Sequence, residues 1–235
     1  MSEAVPSKLP AATRHYDANY GNFETELYAQ IRRDAFGEDI GQSSWLTADE
    51  QDTFLGRLNL SSGKTLLDVA CGSGGPALRI AEQTGCAIVG VDVHGQAIAT
   101  ADSLAAQRGL TERAQFQVAD ATVPLLFPDA SFDAIICVDA INHLPNRPRV
   151  IADWARMLKP GSLLLFTDPI TVTGPLTADE IAERRRAARA SREAALREIE
   201  GDQTYEGQQE FFAVAARIAR EGRLSRFVYV SQKSG

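Results

Sequence analysis

Apolar residues recur at helical spacing at Tyr20, Phe23, Leu27 and Ile31, and from Thr65 onward the rhythm changes to short apolar runs separated by helical stretches. The first pattern predicts an amphipathic helix. Leu46-Thr47-Ala48-Asp49-Glu50 adds a capping box, in which Thr47 caps the amide of Glu50 and Glu50 reaches back, so a second helix is predicted to about Leu58. The same five letters at residues 176–180 mark another helix start. The second pattern predicts strands near 65–70, 86–92, 115–119, 132–138 and 162–167, with helices near 76–83, 95–108 and 147–157. Alternating β and α units with right-handed crossovers imply an α/β fold with a doubly wound, mostly parallel sheet. Its ligand crevice lies at the carboxyl ends of the strands, where the winding reverses. Beyond it, residues 178–222 read as a pair of charged helices and 226–230 as a closing strand. The expected organisation is a mobile tail over 1–14, a helical lid over 15–60, and a cofactor-binding core with C-terminal helices over 61–235.

Composition narrows this picture. At 235 residues, 44% hydrophobic and 23% charged, the chain has the make-up of one globular core. A formal charge of -7 repels polyanions, which argues against nucleic acid and anionic membranes as partners. No apolar run approaches the roughly 20 residues that span a bilayer, and the first residues lack a signal peptide's basic and apolar regions, so a cytoplasmic protein is expected. The three cysteines are scattered, which fits reduced, buried side chains and neither a disulfide framework nor a metal site. Homodimerisation stays open.

Residues 66–78, LLDVACGSGGPAL, carry the most chemistry: an apolar strand runs through an acid into a glycine-rich turn that opens a helix. Gly72 and Gly74 permit positive φ and close approach of a ligand to the backbone. Gly72, Gly74 and Ala77 also fit the dinucleotide fingerprint, which keeps an NAD(P)-dependent oxidoreductase in view. Asp68 weighs against it, because a carboxylate beside the turn repels a pyrophosphate and attracts a ligand carrying an ammonium and a sulfonium. Asp92 ends the second strand 20 residues beyond Gly72, where an acid accepts from both ribose hydroxyls.

The run Asp68-Val69-Ala70-Cys71-Gly72-Ser73-Gly74 resembles motif I, [DE]-x-G-x-G-x-G, of the class I S-adenosylmethionine-dependent methyltransferases, with Ala70 in place of the first glycine. The resemblance implies a Rossmann-like methyltransferase fold and S-adenosyl-L-methionine as cofactor, with S-adenosyl-L-homocysteine as product. It assigns the cofactor to Asp68, Ala70, Cys71, Gly72, Gly74 and Asp92, to Val93 and Gln96 around the adenine, to Asp120 and Ala121 at the adenine amino group, and to Val138 after the fourth strand. It also implies a further strand and helix between the fifth and last strands. Nothing over 171–224 reads as a strand, so either the sheet is truncated or a segment near 182–186 is absent; an intact mass of 25.4 kDa would exclude the latter.

The segment 137–145 lacks the Asn/Asp-Pro-Pro-aromatic motif with which nucleic-acid methyltransferases of this class hold a flipped base, which favours a small-molecule methyl acceptor. Residues 139–144 and 36–44 are similar to phosphoethanolamine N-methyltransferases and related enzymes. That likeness implies a His at the position of His143 working with a Tyr of the amino-terminal helix, Tyr20 first and Tyr16 second. Imidazole titrates near neutrality, as a base for a protonated nucleophile must. Asp168, ending the fifth strand, is placed to orient His143. Arg184, Arg185, Arg186, Arg189 and Arg192, interleaved with glutamates, read as a solvated, ion-paired helix face. The expected activity is methyl transfer to a nitrogen or oxygen of a small molecule; the alternatives are the oxidoreductase and a non-catalytic S-adenosylmethionine-binding protein.

Overall fold

The computed structural model describes residues 11–168, 178–221, 224 and 227–234. Its sheet has the order β3-β2-β1-β4-β5-β6, from β1 (Thr65–Val69), β2 (Ala87–Asp92), β3 (Ala114–Val118), β4 (Phe132–Cys137), β5 (Leu158–Asp168) and β6 (Phe227–Gln232). β1 to β5 are parallel and β6 is antiparallel to β5. The order reverses between β1 and β4, and that switch point opens the crevice at their carboxyl ends. Successive β1 side chains point to opposite faces. Leu66 therefore joins Ile88, Ile136 and Leu78 on one side, while Leu67 joins Ile135, Trp154 and Met157 on the other. Both faces are apolar, as a sheet covered on both sides requires.

The crossover helices are α4 (Gly75–Thr84), α5 (Gly95–Gln107) and α6 (Arg147–Met157), close to their predicted spans. Ahead of them, α3 (Ala48–Leu58) opens on the predicted capping box: Glu50 N donates to Thr47 Oγ1 at 3.2 Å and Thr47 N to Glu50 Oε2 at 3.4 Å. The single amphipathic helix expected around Tyr20 to Ile31 is instead two, α1 (Ala11–Gly21) and α2 (Glu26–Phe36). Thr25 takes an extended conformation and caps α2 by accepting from Tyr28 N, which restarts the helix after a turn. The break sends Tyr20 and Phe23 against Ala97, and Tyr28 and Ile31 against Ala188, Leu196 and Tyr205. α1 begins at Ala11, within the stretch expected as a tail.

The pair of C-terminal helices is three: α7 (Ala178–Ala190), α8 (Glu193–Glu200) and α9 (Asp202–Arg220). Gly201, at φ +81°, makes the second break. The cap expected at Leu176 and Thr177 lies outside the described residues. These helices pack on α2 and Trp45, so the roof over the site comes from both ends of the chain. Among the described residues no strand intervenes between β5 and β6, and β6 pairs with β5 directly, from Leu163↔Gln232 to Asp168↔Phe227.

Candidate active site

The chain leaves β1 at Val69 and passes through Ala70 at φ +59°, Gly72 at +56° and Gly74 at +73° before entering α4. Three left-handed residues in five turn the backbone sharply enough to expose its amides. Cys71 N donates to Val91 O at 3.0 Å and Gly72 N to Asp92 Oδ2 at 2.9 Å, which ties the loop to the end of β2. The other Asp92 oxygen accepts from His94 N at 2.8 Å. A Cβ on Gly72 would stand 2.9 Å from the Tyr20 hydroxyl, and one on Gly74 would stand 2.8 Å from Ala101 and Phe116. Packing, as well as φ, therefore demands glycine at both positions.

Asp68 is 4% exposed, and burial, reinforced by the charge of Asp92, pushes its carboxyl up to about 8. Burial also raises Asp92, against the hydrogen bonds from His94 and Gly72 that lower it. Two acids thus stand beside the glycine loop, one buried and one half-buried. Cys71 is buried and its thiol is held well above the ordinary range by desolvation, which makes it packing and not a nucleophile.

The remaining cofactor candidates surround the crevice. Val93 follows β2 and is 40% exposed; Gln96, exposed, lies in the first turn of α5; Val138, half-buried, follows β4. Asp120 is exposed two residues past β3, with Oδ1 accepting from Thr122 N at 2.8 Å, and Ala121 beside it is half-buried.

The catalytic candidates are arranged differently from expectation. Tyr20 lies over the glycine loop, its ring 4.9 Å from that of His94, while Tyr16 meets His143 edge-on at 6.5 Å between centroids. Tyr16, on the same helix face one turn earlier, is thus the tyrosine beside His143. His143 is exposed, ending a 3-10 turn (Ile141–His143) after β4. Asp168 does not orient it: the charged partner of Asp168 among the described residues is Arg147, Nη1 to Oδ2 3.6 Å, because Arg147 opens α6 directly above the β5 end.

Sequence reasoning missed Asp139. It leaves β4 at φ +55°, takes Trp45 N on Oδ2 at 3.0 Å and the Thr167 hydroxyl on Oδ1 at 2.7 Å, and its own amide donates to Thr167 Oγ1 at 2.8 Å. One side chain thus joins β4, β5 and the entry to α3. It missed Arg185 as well. The arginine run is only partly a solvated face: Arg186 pairs with Glu183 outside, whereas Arg189 is 5% exposed and paired with Glu200, and Arg185 lines a cavity of about 100 Å³ among α1, α2, α7 and α9. The signal was the spacing of Ile181, Ala182, Arg185, Ala188 and Arg189, which puts both arginines on the apolar stripe of α7. Among the described residues no group of three His, Cys, Asp or Glu is arranged to hold a metal ion.

Residues 67–166 match the family described as a methyltransferase domain. Over 170 residues the chain is 32% identical to the 27-O-demethylrifamycin SV methyltransferase of Amycolatopsis mediterranei, covering 68% of this chain and 62% of that protein. It is 34% identical over 135 residues to phosphoethanolamine N-methyltransferase 1 of Arabidopsis thaliana, covering 57% of this chain and 26% of that protein. The chain thus spans less than two thirds of the length of these curated relatives. Among solved structures, the [4+2]-cyclase SpnF superposes with a TM-score of 0.75 at 22% identity, over 95% of each chain. That likeness concerns the fold, and one fold hosts several reactions.

Proposed function

Residues 67–166 belong to the class I S-adenosylmethionine-dependent methyltransferases, and from that premise we propose that the protein moves a methyl group from S-adenosylmethionine to a nitrogen or oxygen of a small-molecule acceptor. The observation that carries the reading is the pair of acids, Asp68 buried and Asp92 half-buried, flanking the Gly72 to Gly74 turn. The donor set fits the cofactor: Asp68 would serve its ammonium, Asp92 its ribose hydroxyls and Asp120 its adenine amino group, and the left-handed turn would let it reach the backbone. A pyrophosphate in the same place would lie against two acids, which disfavours a dinucleotide.

S-adenosylmethionine, when bound, supplies a methyl carbon already activated by its sulfonium. The protein's part is then to hold the acceptor at near-attack distance and to exclude water. Helices α1, α2, α7 and α9 wall the cavity, and Tyr16 both lines it and meets His143. His143 takes the acceptor's proton where the nucleophile carries one. A cytoplasmic setting belongs to the same proposal; among the described residues no helix is long and apolar enough to cross a membrane.

Calorimetric titration with S-adenosylhomocysteine, with NAD in parallel, tests the reading. Micromolar or tighter binding of the first alone is expected. Binding of NAD alone would move the protein to hydride transfer.

A further inference from the structure

Among the described residues, the roof cavity holds an unbalanced charge. Of the ionised groups on its wall, Arg32 donates to Asp39 at 2.8 Å and to Phe23 O at 2.9 Å, and Arg189 pairs with Glu200, which also accepts from the Tyr28 hydroxyl at 2.6 Å. Arg185 has no carboxylate among the described residues. Its guanidinium instead stands against three aromatic rings, 4.6 Å from the centroid of Phe212, 5.5 Å from Phe36 and 5.6 Å from Trp45.

Ring faces attract a cation, at about 0.5 to 2 kcal/mol each, but accept few of the five N–H bonds that a guanidinium offers. Removing such an ion from water costs several kcal/mol, so the rings alone leave the site under-compensated. Desolvation and the neighbouring Arg189 lower the proton affinity of Arg185 to about 10. A second atom points the same way: Nε of Arg189, itself buried, finds no acceptor among the described residues.

We propose that Arg185 is the specificity-determining residue of the acceptor pocket, and that it receives the carboxylate of an acceptor whose apolar body lies against Trp45 and Phe212. The proposal rests on the methyltransferase reading for what happens next, not for the anion site itself. A guanidinium matches a carboxylate through two parallel N–H···O bonds. A doubly charged phosphate fits less well, because one unpaired cation beside Glu200 would leave half of its charge uncompensated away from water. Tyr16 lies on the wall of the same cavity and against His143, so an anion held at Arg185 directs the rest of the acceptor toward the crevice.

The test uses the full chain saturated with S-adenosylhomocysteine and follows the fluorescence of Trp45, since Trp154 is sealed in the core at 1% exposure and gives a constant background. Benzoate, benzamide and phenyl phosphate are titrated into the wild type and Arg185→Gln. Benzoate is expected to bind the wild type about tenfold more tightly than benzamide, and the variant to hold the two within about twofold. Equal binding of the pair by the wild type, or a preference that survives Arg185→Gln, overturns the proposal. Tighter binding of phenyl phosphate than of benzoate overturns the carboxylate assignment. Should Arg185→Gln fail to fold, Arg185→Met keeps the stem packed on Phe212 and serves as the second variant. Affinity for S-adenosylhomocysteine is measured alongside: its absence from the wild type, with the benzoate preference intact, sinks the methyltransferase reading and leaves the anion site standing.

Discussion

Asp68 lies inside the protein with Asp92 as its nearest charge, and at neutral pH it carries a proton because burial has raised its carboxyl to about 8. A cationic ligand beside it favours the carboxylate, so binding below that pH should expel the proton. Asp68→Asn keeps the shape and loses the charge. We expect affinity for S-adenosylhomocysteine at pH 8 to fall about tenfold with the fold intact. Calorimetry in two buffers of different ionisation heat should show proton release for the wild type and none for the variant; unchanged affinity would remove Asp68 from the site. Ala70, two residues on, explains why its departure from the motif is mild. A left-handed alanine costs roughly 1–2 kcal/mol, and a glycine there would add roughly 0.5–1 kcal/mol of chain entropy to the unfolded state, so much of the difference cancels.

Elements are fastened to one another around the site by side chains that bond to backbone. Ser73 Oγ donates to Gly41 O at 2.7 Å and Gln51 Nε2 to Pro76 O at 2.9 Å, so the segment before α3 is tied to the glycine loop and α3 itself to α4. Asp139 performs the same service between β4, β5 and Trp45. In Asp139→Ala the Trp45 amide and the wholly buried Thr167 hydroxyl both lose their bond to Asp139, at about 1–3 kcal/mol each. Urea denaturation should therefore show a loss of about 2–5 kcal/mol. A loss below about 1 kcal/mol would mean that the clamp carries little of the fold's stability.

For the whole molecule, the raised carboxyls of Asp68 and Asp92 set a pH dependence whose sign is fixed. The folded state holds their protons above the pH at which the unfolded chain releases them, so stability is greatest below about pH 4 for these groups and declines as pH rises, up to about 8 for Asp68. Asp52 and Asp133 are lowered by Arg79 and Lys159, and what they contribute is lost only in more acid solution. Unfolding midpoints should therefore fall between pH 5 and 8, and saturating S-adenosylhomocysteine should flatten the decline. A midpoint that rises across this window contradicts the raised carboxyls of Asp68 and Asp92. Much of this architecture was legible in the chain: the five parallel strands, the crossover helices and the capping box at Thr47 are written in local spacing, and the glycine loop with Asp68 and Asp92 is a short-range pattern that fixes its own backbone. Tertiary structure decided the rest. Tyr16 and not Tyr20 meets His143 because Tyr20 is taken up against His94 and Ala97; Asp168 answers to Arg147 because α6 starts above it; and Arg185 turns inward because α7 packs on α2 and α9. Each depends on residues far apart in sequence meeting in one place, which no local periodicity records.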